Sequence, residues 1–331
     1  MTRQGRTRSS SHGAALLTAM LTVALVATFS AAALWQQWRS VEIETAERTR
    51  VQSGWILVGA LDWARLLLRE DGRTSVDHLG EPWAVPLEEA RLSSFLATDR
   101  NNSADIGPEV MEAFLSGQIT DLQSMLNLTN LVENGKVSDE GLESFMRLFE
   151  LLGLPTEQLD RLTENLRFAL DTSAANRSSA QAPLVPQRVE QLVWLGLPPA
   201  TAAALLPYVA VLPRRTSVNL NTASAQVIYA SIPGLTMAQA QQLVTERERS
   251  HFRRVSDASR LLPGGAAALP EGQLAVGVSS GFFEVRARLR LDKLIVEERS
   301  VVQRDGIEVK VLQRERGLIP SGLPLLASAM R

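Results

Sequence analysis

Ala14–Trp35 reads AALLTAMLTVALVATFSAAALW, a run without a charged side chain. At ~1.5 Å per residue, a helix over this run spans a hydrocarbon layer of ~30 Å, so the stretch predicts a membrane-crossing helix. Arg3, Arg6 and Arg8 precede it with no acid among them, and Trp35 and Trp38 stand at its far end. A basic flank stays cytoplasmic and tryptophans settle at the interface. This orients residues 1–12 inward and the bulk of the chain outward.

Three readings of the segment remain open. A secretory signal peptide would end in a small-residue cleavage site, and Ala31-Ala32-Ala33 offers one. A plain signal anchor is the second. The third rests on Gly13, which stands between the basic leader and the apolar run. Cleavage after it would leave the run as a permanent anchor, and this layout resembles that of type IV pilin-like precursors. Those proteins usually carry Glu at the fifth mature position, where it neutralises the amine of a neighbouring subunit, because an unpaired charge in lipid is expensive. Here the position is Thr18. A subunit with nothing above it in a filament has no need of that carboxylate.

The chain has 331 residues, 34 Lys+Arg against 36 Asp+Glu, 45% hydrophobic residues, three His and no Cys. That length suggests two compact units with enough chain for a real core. The absence of Cys excludes disulfide frameworks, thiolate catalysis and Cys-ligated metals. A formal net charge of −2 is unlike that of a dedicated nucleic-acid binder. No G-x-S-x-G, P-loop or H-E-x-x-H occurs, and the pairs Glu88-Glu89 and Glu297-Glu298 read as surface charge, so no enzymatic activity is expected.

Helical spacing continues past the membrane through Val51, Trp55, Val58, Leu61, Ala64, Leu67 and Leu68, predicting one helix to about Arg69 with Asp71 and Gly72 at its end. Asp77–Leu87 (DHLGEPWAVPL) predicts a short edge strand, since its prolines cannot serve a central ladder. From about Gly107 to Leu262, helices are expected at Pro108–Leu115, Ser138–Leu152, Thr156–Leu170, Pro186–Leu195, Pro199–Tyr208, Ala223–Ser231, Met237–Glu248 and Val255–Leu262. Ser138, Thr156, Thr222 and Ser256 are their expected N-caps. Thr172–Pro183 (TSAANRSSAQAP) reads as a surface loop.

After Gly264-Gly265 the period changes. Phe283, Val285, Ala287, Leu289 and Leu291 alternate with Glu284, Arg286, Arg288 and Arg290, which predicts a half-buried strand over Ser279–Leu291. Leu294–Gln303 and Ile307–Arg314 repeat the pattern, joined at Asp305-Gly306 by an expected type I′ turn. The fold class is therefore α+β: the long helix packs on a small antiparallel sheet, and a helical block interrupts it.

Val218–Ser224 (VNLNTAS), then Ile232-Pro233-Gly234-Leu235, resembles helix-hairpin-helix segments, in which a Pro-Gly turn precedes a helix whose N–H groups meet phosphate. Thr236 stands where the second turn glycine is usual, and Met237–Gln242 lacks Lys and Arg. Asn219, Asn221, Pro233 and Gly234 therefore read first as a structural hairpin, with Asn side chains fastening turns. The alternative function is a membrane-anchored helix-hairpin-helix DNA-binding protein of a DNA-uptake system. Leu126–Leu131 echoes the Asn-Leu-Asn of 219–221, suggesting two related halves. Asp99, Asp105 and Asp121, with nearby Asn residues, are weak calcium candidates, because a hard cation needs several oxygen donors.

The Gly13 junction, Asp77–Trp83 (DHLGEPW), Leu126–Leu131, the 218–235 segment and the closing strands together resemble the type II secretion system protein K family, the large minor pseudopilins. The resemblance covers nearly the whole chain. It implies a cleaved leader (1–13), a transmembrane helix (14–35) and a pseudopilin helix with first strand (36–106). An inserted all-α domain of two helix-hairpin-helix or SAM-like halves (107–265), completing strands (266–316) and a tail (317–331) would follow. It also implies removal of the leader and methylation of Ala14 by the prepilin peptidase, and a place in the inner membrane with the C-terminal part in the periplasm. The implied partners are minor pseudopilins I and J and the other pseudopilus subunits, at a filament tip where the protein initiates or caps assembly, without nucleic acid. Members of the family can bind calcium.

Overall fold

The structure, a computed structural model, describes residues 12–93, 113–171, 173, 182–263, 275–291 and 294–318. The chain divides into two compact units between Ile56 and Leu57. Helix α1 (His12–Asp71) makes up all of the described part of the first and continues into the second. From Leu16 to Trp38 its apolar side chains are exposed, and the helix is long and apolar enough to cross a membrane. Its threonine hydroxyls bond back to the helix itself: Thr22 donates to Ala19 O at 2.8 Å and Thr28 to Leu25 O at 2.9 Å.

In the second unit α1 buries one stripe, Leu57, Leu61, Ala64 and Leu68. The i, i+4, i+7, i+11 spacing puts all four on one face. The segment expected as a strand over 77–87 is instead a turn with a 3-10 step at Pro82–Ala84, and β1 (Leu87–Arg91) begins where that strand was to end. The cause is local. Glu81 Oε2 accepts from His78 N–H at 3.0 Å and from the Trp83 indole at 2.7 Å, which curls the chain.

β2 (Phe114–Asp121) replaces the end of the helix expected over 108–115, whose first residues lie outside the described ones, and it lies within the segment expected to be all helical. Its side chains alternate only weakly, but it gains a full antiparallel ladder, Phe114↔Arg290 to Asp121↔Phe283, and that pairing outweighs local propensity.

Residues 122–281 follow. They contain β3 (Leu126–Asn127), β4 (Val132–Glu133), β5 (Lys136–Val137), α2 (Asp139–Leu151), α3 (Thr156–Leu170), a 3-10 segment Val189–Leu195 and α4 (Pro199–Leu205). Then come β6 (Val209–Ala210), β7 (Val218–Asn219), α5 (Ala225–Ser231), α6 (Met237–Arg249), α7 (Val255–Ser259) and β8 (Val276–Gly277). The block is thus mostly helical rather than all-α. β3 pairs with β6 and β7 with β8, both in parallel, so each Asn-bearing segment is clasped by a later stretch of chain. The β4–β5 hairpin turns at Asn134-Gly135, both left-handed (φ 51° and 76°), the Asn-Gly pair that a type I′ turn favours.

Helix starts differ from expectation in instructive ways. Ser138 caps α2 as expected, but α3 is preceded by Pro155, α5 is capped by Ser224 and α7 by Arg254. Thr222 is no cap because its hydroxyl is spent on Asp121. Helices expected to reach Tyr208 and Leu262 stop at Leu205 and Ser259, and 186–195 is a shorter 3-10 segment. One continuous core, with Phe145, Leu148, Leu162, Leu192, Leu205, Ile228 and Leu243, joins the residues before and after 216. Each such fully buried side chain contributes about 1.5–3 kcal/mol.

The chain closes with β9 (Phe282–Leu291), β10 (Leu294–Asp305) and β11 (Glu308–Leu318), the last longer than expected. The β10–β11 turn is Gly306-Ile307, with only Gly306 left-handed (φ 56°). A positive φ at the first central residue alone is the type II′ pattern, not the expected I′. Strand order is β1-β2-β9-β10-β11, all antiparallel. Phe283, Val285 and Val302 face Leu61, Ala64, Leu68 and Trp83. On the opposite face Phe282 and Val301 meet Leu122 and Leu212 of the helical block. With both faces covered at that end, Glu284 is buried rather than solvated, held between Arg286 and Arg299.

Candidate functional site

Two places in the fold concentrate candidate site residues: the start of α1, and a buried polar knot where α1, the sheet and the helical block meet. At the first, Gly13 and Ala14 are already helical, and residues 1–11 of the leader lie outside the described residues. Thr18 is the fifth residue from Ala14. Its hydroxyl donates back to Ala14 O at 3.0 Å and Ala15 O at 2.9 Å. A Thr there carries its polar group into an apolar phase with its hydrogen bond already made.

The knot forms around Asp121 at the end of β2. Its Oδ2 accepts from Thr222 Oγ1 at 2.5 Å, Ser280 Oγ at 2.6 Å and Asn219 Nδ2 at 3.3 Å, and its Oδ1 accepts from Gln123 N–H at 2.7 Å. Asn219 Nδ2 also donates to Asp77 O and Ser280 Oγ. Asp77 Oδ2 accepts from Ser280 N–H at 2.7 Å. Arg304 from β10 completes the cluster, donating to Asp71 Oδ2 at 2.7 Å, to Ser280 O at 2.9 Å and to Asp77 Oδ1. Asp71, Asp77 and Glu81 lie close enough together to suggest a cation, but the guanidinium of Arg304 already bridges the first two.

Among the calcium candidates, Asp121 has both oxygens engaged by protein donors, and Asp99 and Asp105 lie outside the described residues. Nothing in the sequence marks Arg304, Asp77 and Ser280 as site residues beyond the apolar alternation around Arg304, which points it inward.

Burial pushes the Asp121 carboxyl up to about 6, against the pull of its hydroxyl and backbone donors. A raised carboxyl binds its proton more tightly in the folded chain, so its stability contribution is full below the unfolded value and is lost as pH rises through about 6. A shift of that size corresponds to about 3 kcal/mol. Asp121→Asn keeps the shape without titrating. We expect denaturant unfolding of the full chain in detergent to lose less stability between pH 4.5 and 7.5 in the variant than in the parent.

The hairpin residues are structural. Asn221 binds Phe252 in both directions, Nδ2 to its O and Oδ1 from its N–H, at 2.9 and 2.8 Å. Asn127 does the equivalent work in the earlier segment, accepting from Leu212 N–H and donating to Arg214 O. Gly234 is left-handed (φ 73°) in the Pro233-Gly234 turn, which Arg147 fastens by donating to Leu235 O at 2.8 Å. At the start of α6 the Thr236–Gln239 capping box uses donors that a phosphate would need. Arg247, pushed down to about 10 by burial, is spent on Leu220 O and Ala223 O. This hairpin offers no phosphate cradle.

Against known proteins, two family models described as "Type II secretion system (T2SS), protein K" match, one over residues 124–214 and one over 218–277. The boundary between them falls between β6 and β7. Type II secretion system protein K of Pseudomonas aeruginosa is 28% identical over 96% of this chain and 96% of its own length. That of Pectobacterium carotovorum subsp. carotovorum is 26% identical over 94% of this chain and 98% of its own. A chain in the crystal structure of the GspK–GspI–GspJ complex from the enterotoxigenic Escherichia coli type 2 secretion system shares the fold. Its TM-score is 0.62 at 19% identity, covering 82% of this chain and 98% of that one. The apolar helix, the sheet order and these matches along its length support placing the chain with the type II secretion system protein K family.

Proposed function

We propose that the protein is a minor pseudopilin: an inner-membrane subunit, non-enzymatic, whose part beyond the membrane lies in the periplasm and joins minor pseudopilins I and J at the tip of a short filament. One observation carries the reading. α1 runs unbroken from the uncharged segment at Ala14 to the sheet-packed stripe ending at Leu68, which is how a pilin-like subunit offers one helix to the membrane and to its own fold. The prepilin peptidase would cut after Gly13 and methylate Ala14. The shared fold with a chain of the GspK–GspI–GspJ complex supports the choice of partners.

Thr18 supports the tip position. An unpaired carboxylate inside a membrane helix is costly, whereas the Thr18 hydroxyl is satisfied within its own helix and asks for no subunit above. The block at 122–281, in this reading an inserted helical domain, would add bulk that the next subunit in a stack could not pass. Initiation or capping then follows from sterics rather than chemistry. The test is co-purification of the full chain, in detergent, with the I and J pseudopilins of its own system. A stable three-component complex is expected, and elution of the chain alone would refute the assignment.

A further inference from the structure

The chain has three histidines, and two of them lie face to face. His78, in the turn between α1 and β1, stacks on His251, which follows α6, with ring centroids 3.8 Å apart and planes within 7°. One ring belongs to the sheet side of the fold and the other to the helical block, so the stack bridges the two.

The geometry rules out a shared metal in this arrangement. An imidazole lone pair lies in the ring plane, and two nearly parallel planes this far apart do not converge on an ion ~2.0–2.1 Å from a nitrogen of each. What the stack does disfavour is a charge on both rings at once. Two imidazolium rings at this separation would repel across a partly buried contact.

His78 is also hydrogen-bonded within its own turn. Its Nδ1 accepts from Gly80 N–H at 3.2 Å, which requires a bare nitrogen there. A hydrogen on Nδ1 would set two donors against each other in the Asp77–Glu81 turn. That turn is also where the helical block is tied to the sheet side: Asp77 N–H donates to Val278 O at 3.0 Å, and Asn219 Nδ2 donates to Asp77 O at 3.2 Å.

The charged groups facing the pair are Glu81, whose Oε1 lies 3.8 Å from His78 Nε2, and Arg253. Glu81 favours a proton on His251. Its other oxygen is already taken by His78 N–H and the Trp83 indole.

We propose that the His78–His251 stack is a proton-operated latch between the helical block and the sheet, closed while at least one ring is neutral and loosened when mild acid charges both. Burial, then the neighbouring His78, then Arg253 lower the affinity of His251 for its proton, with Glu81 opposing. A His depressed in the folded state contributes stability that is present above the ordinary value near 6.5 and is lost as pH falls through the folded value. This sign is opposite to that of Asp121, so a global unfolding curve mixes the two and a local measurement is needed.

Hydrogen–deuterium exchange of the full chain in detergent micelles, at several pH values between 7.5 and 5 and corrected for intrinsic exchange, supplies it. Amides around 76–82 and 250–258 should lose about tenfold in protection at the acid end, while the β10–β11 ladder holds. His251→Phe keeps a stacked ring that cannot charge and should abolish the acid loss. His251→Gln, polar and neutral, serves if the Phe variant does not fold. Protection in the parent chain that does not change with pH, or the same acid loss in both variants, would overturn the latch.

Discussion

Arg304→Met should be the most damaging substitution outside the membrane, lowering the stability of the second unit by about 3–5 kcal/mol, the range for breaking a buried ion pair by removing one partner. Arg304 is 8% exposed and bridges Asp71 at the end of α1, Asp77 in the following turn and Ser280 before β9. It also lies 4.9 Å from the centre of the Phe283 ring. Met fills similar volume, so packing is largely kept and the charge is what disappears.

Burial already raises both Asp71 and Asp77 despite the arginine. Without it each carboxylate would hold its proton more tightly still. Raised carboxyls lose stability as pH rises, so the deficit of the variant should be larger at pH 8 than at pH 5. Denaturant titration of the full chain in detergent at both values measures it. A deficit below about 1 kcal/mol at pH 8 would show that the knot is solvated in practice.

Gly13→Leu is expected to have the largest effect on the state of the chain in cells. In the pseudopilin reading the peptidase must accept a residue without a side chain at the junction, and a branched side chain there would leave residues 1–13 attached. The anchor itself would be unaffected, because Ala14–Trp35 still supplies the hydrocarbon-spanning length. Intact-mass measurement of the membrane-extracted protein decides the matter. The parent should begin at methylated Ala14 and the variant at its original start. A parent chain beginning after Ala33 would instead mean a secretory signal peptide and no anchor.

The long helix and the three closing strands were readable because their periodicities are long and unmixed: Leu61, Ala64 and Leu68 at helical intervals, then Phe283, Val285, Ala287 and Leu289 in alternation. β2 was not, since Ser116, Gly117 and Gln118 carry little strand preference and the ladder with β9 depends on a partner far along the chain. Asn219 was recognisable as a turn fastener, and it is one: Asn221 N–H donates to its Oδ1 at 2.9 Å. Its other role, donating to Asp77 O, Asp121 and Ser280, brings together segments that no local pattern links. Thr222 had the residue type of a helix cap and was claimed by a buried carboxylate instead. The knot was invisible in sequence because its members are ordinary polar residues whose meeting is decided by tertiary structure.

The neighbouring strands β2 and β9, separated along the chain by residues 122–281, set an order on folding. β9, β10 and β11 close short loops, and the helical block has its own core, so both can form early from local contacts. The β1–β2 ribbon has to find the open side of β9 across that whole span, paying the loop-closure entropy of everything between unless the block has already condensed and brought its ends together. Condensation of the block should therefore precede completion of the sheet. A folding experiment should see the β2–β9 amides gain protection last, and mutations that loosen the block should slow the strand pairing they never touch.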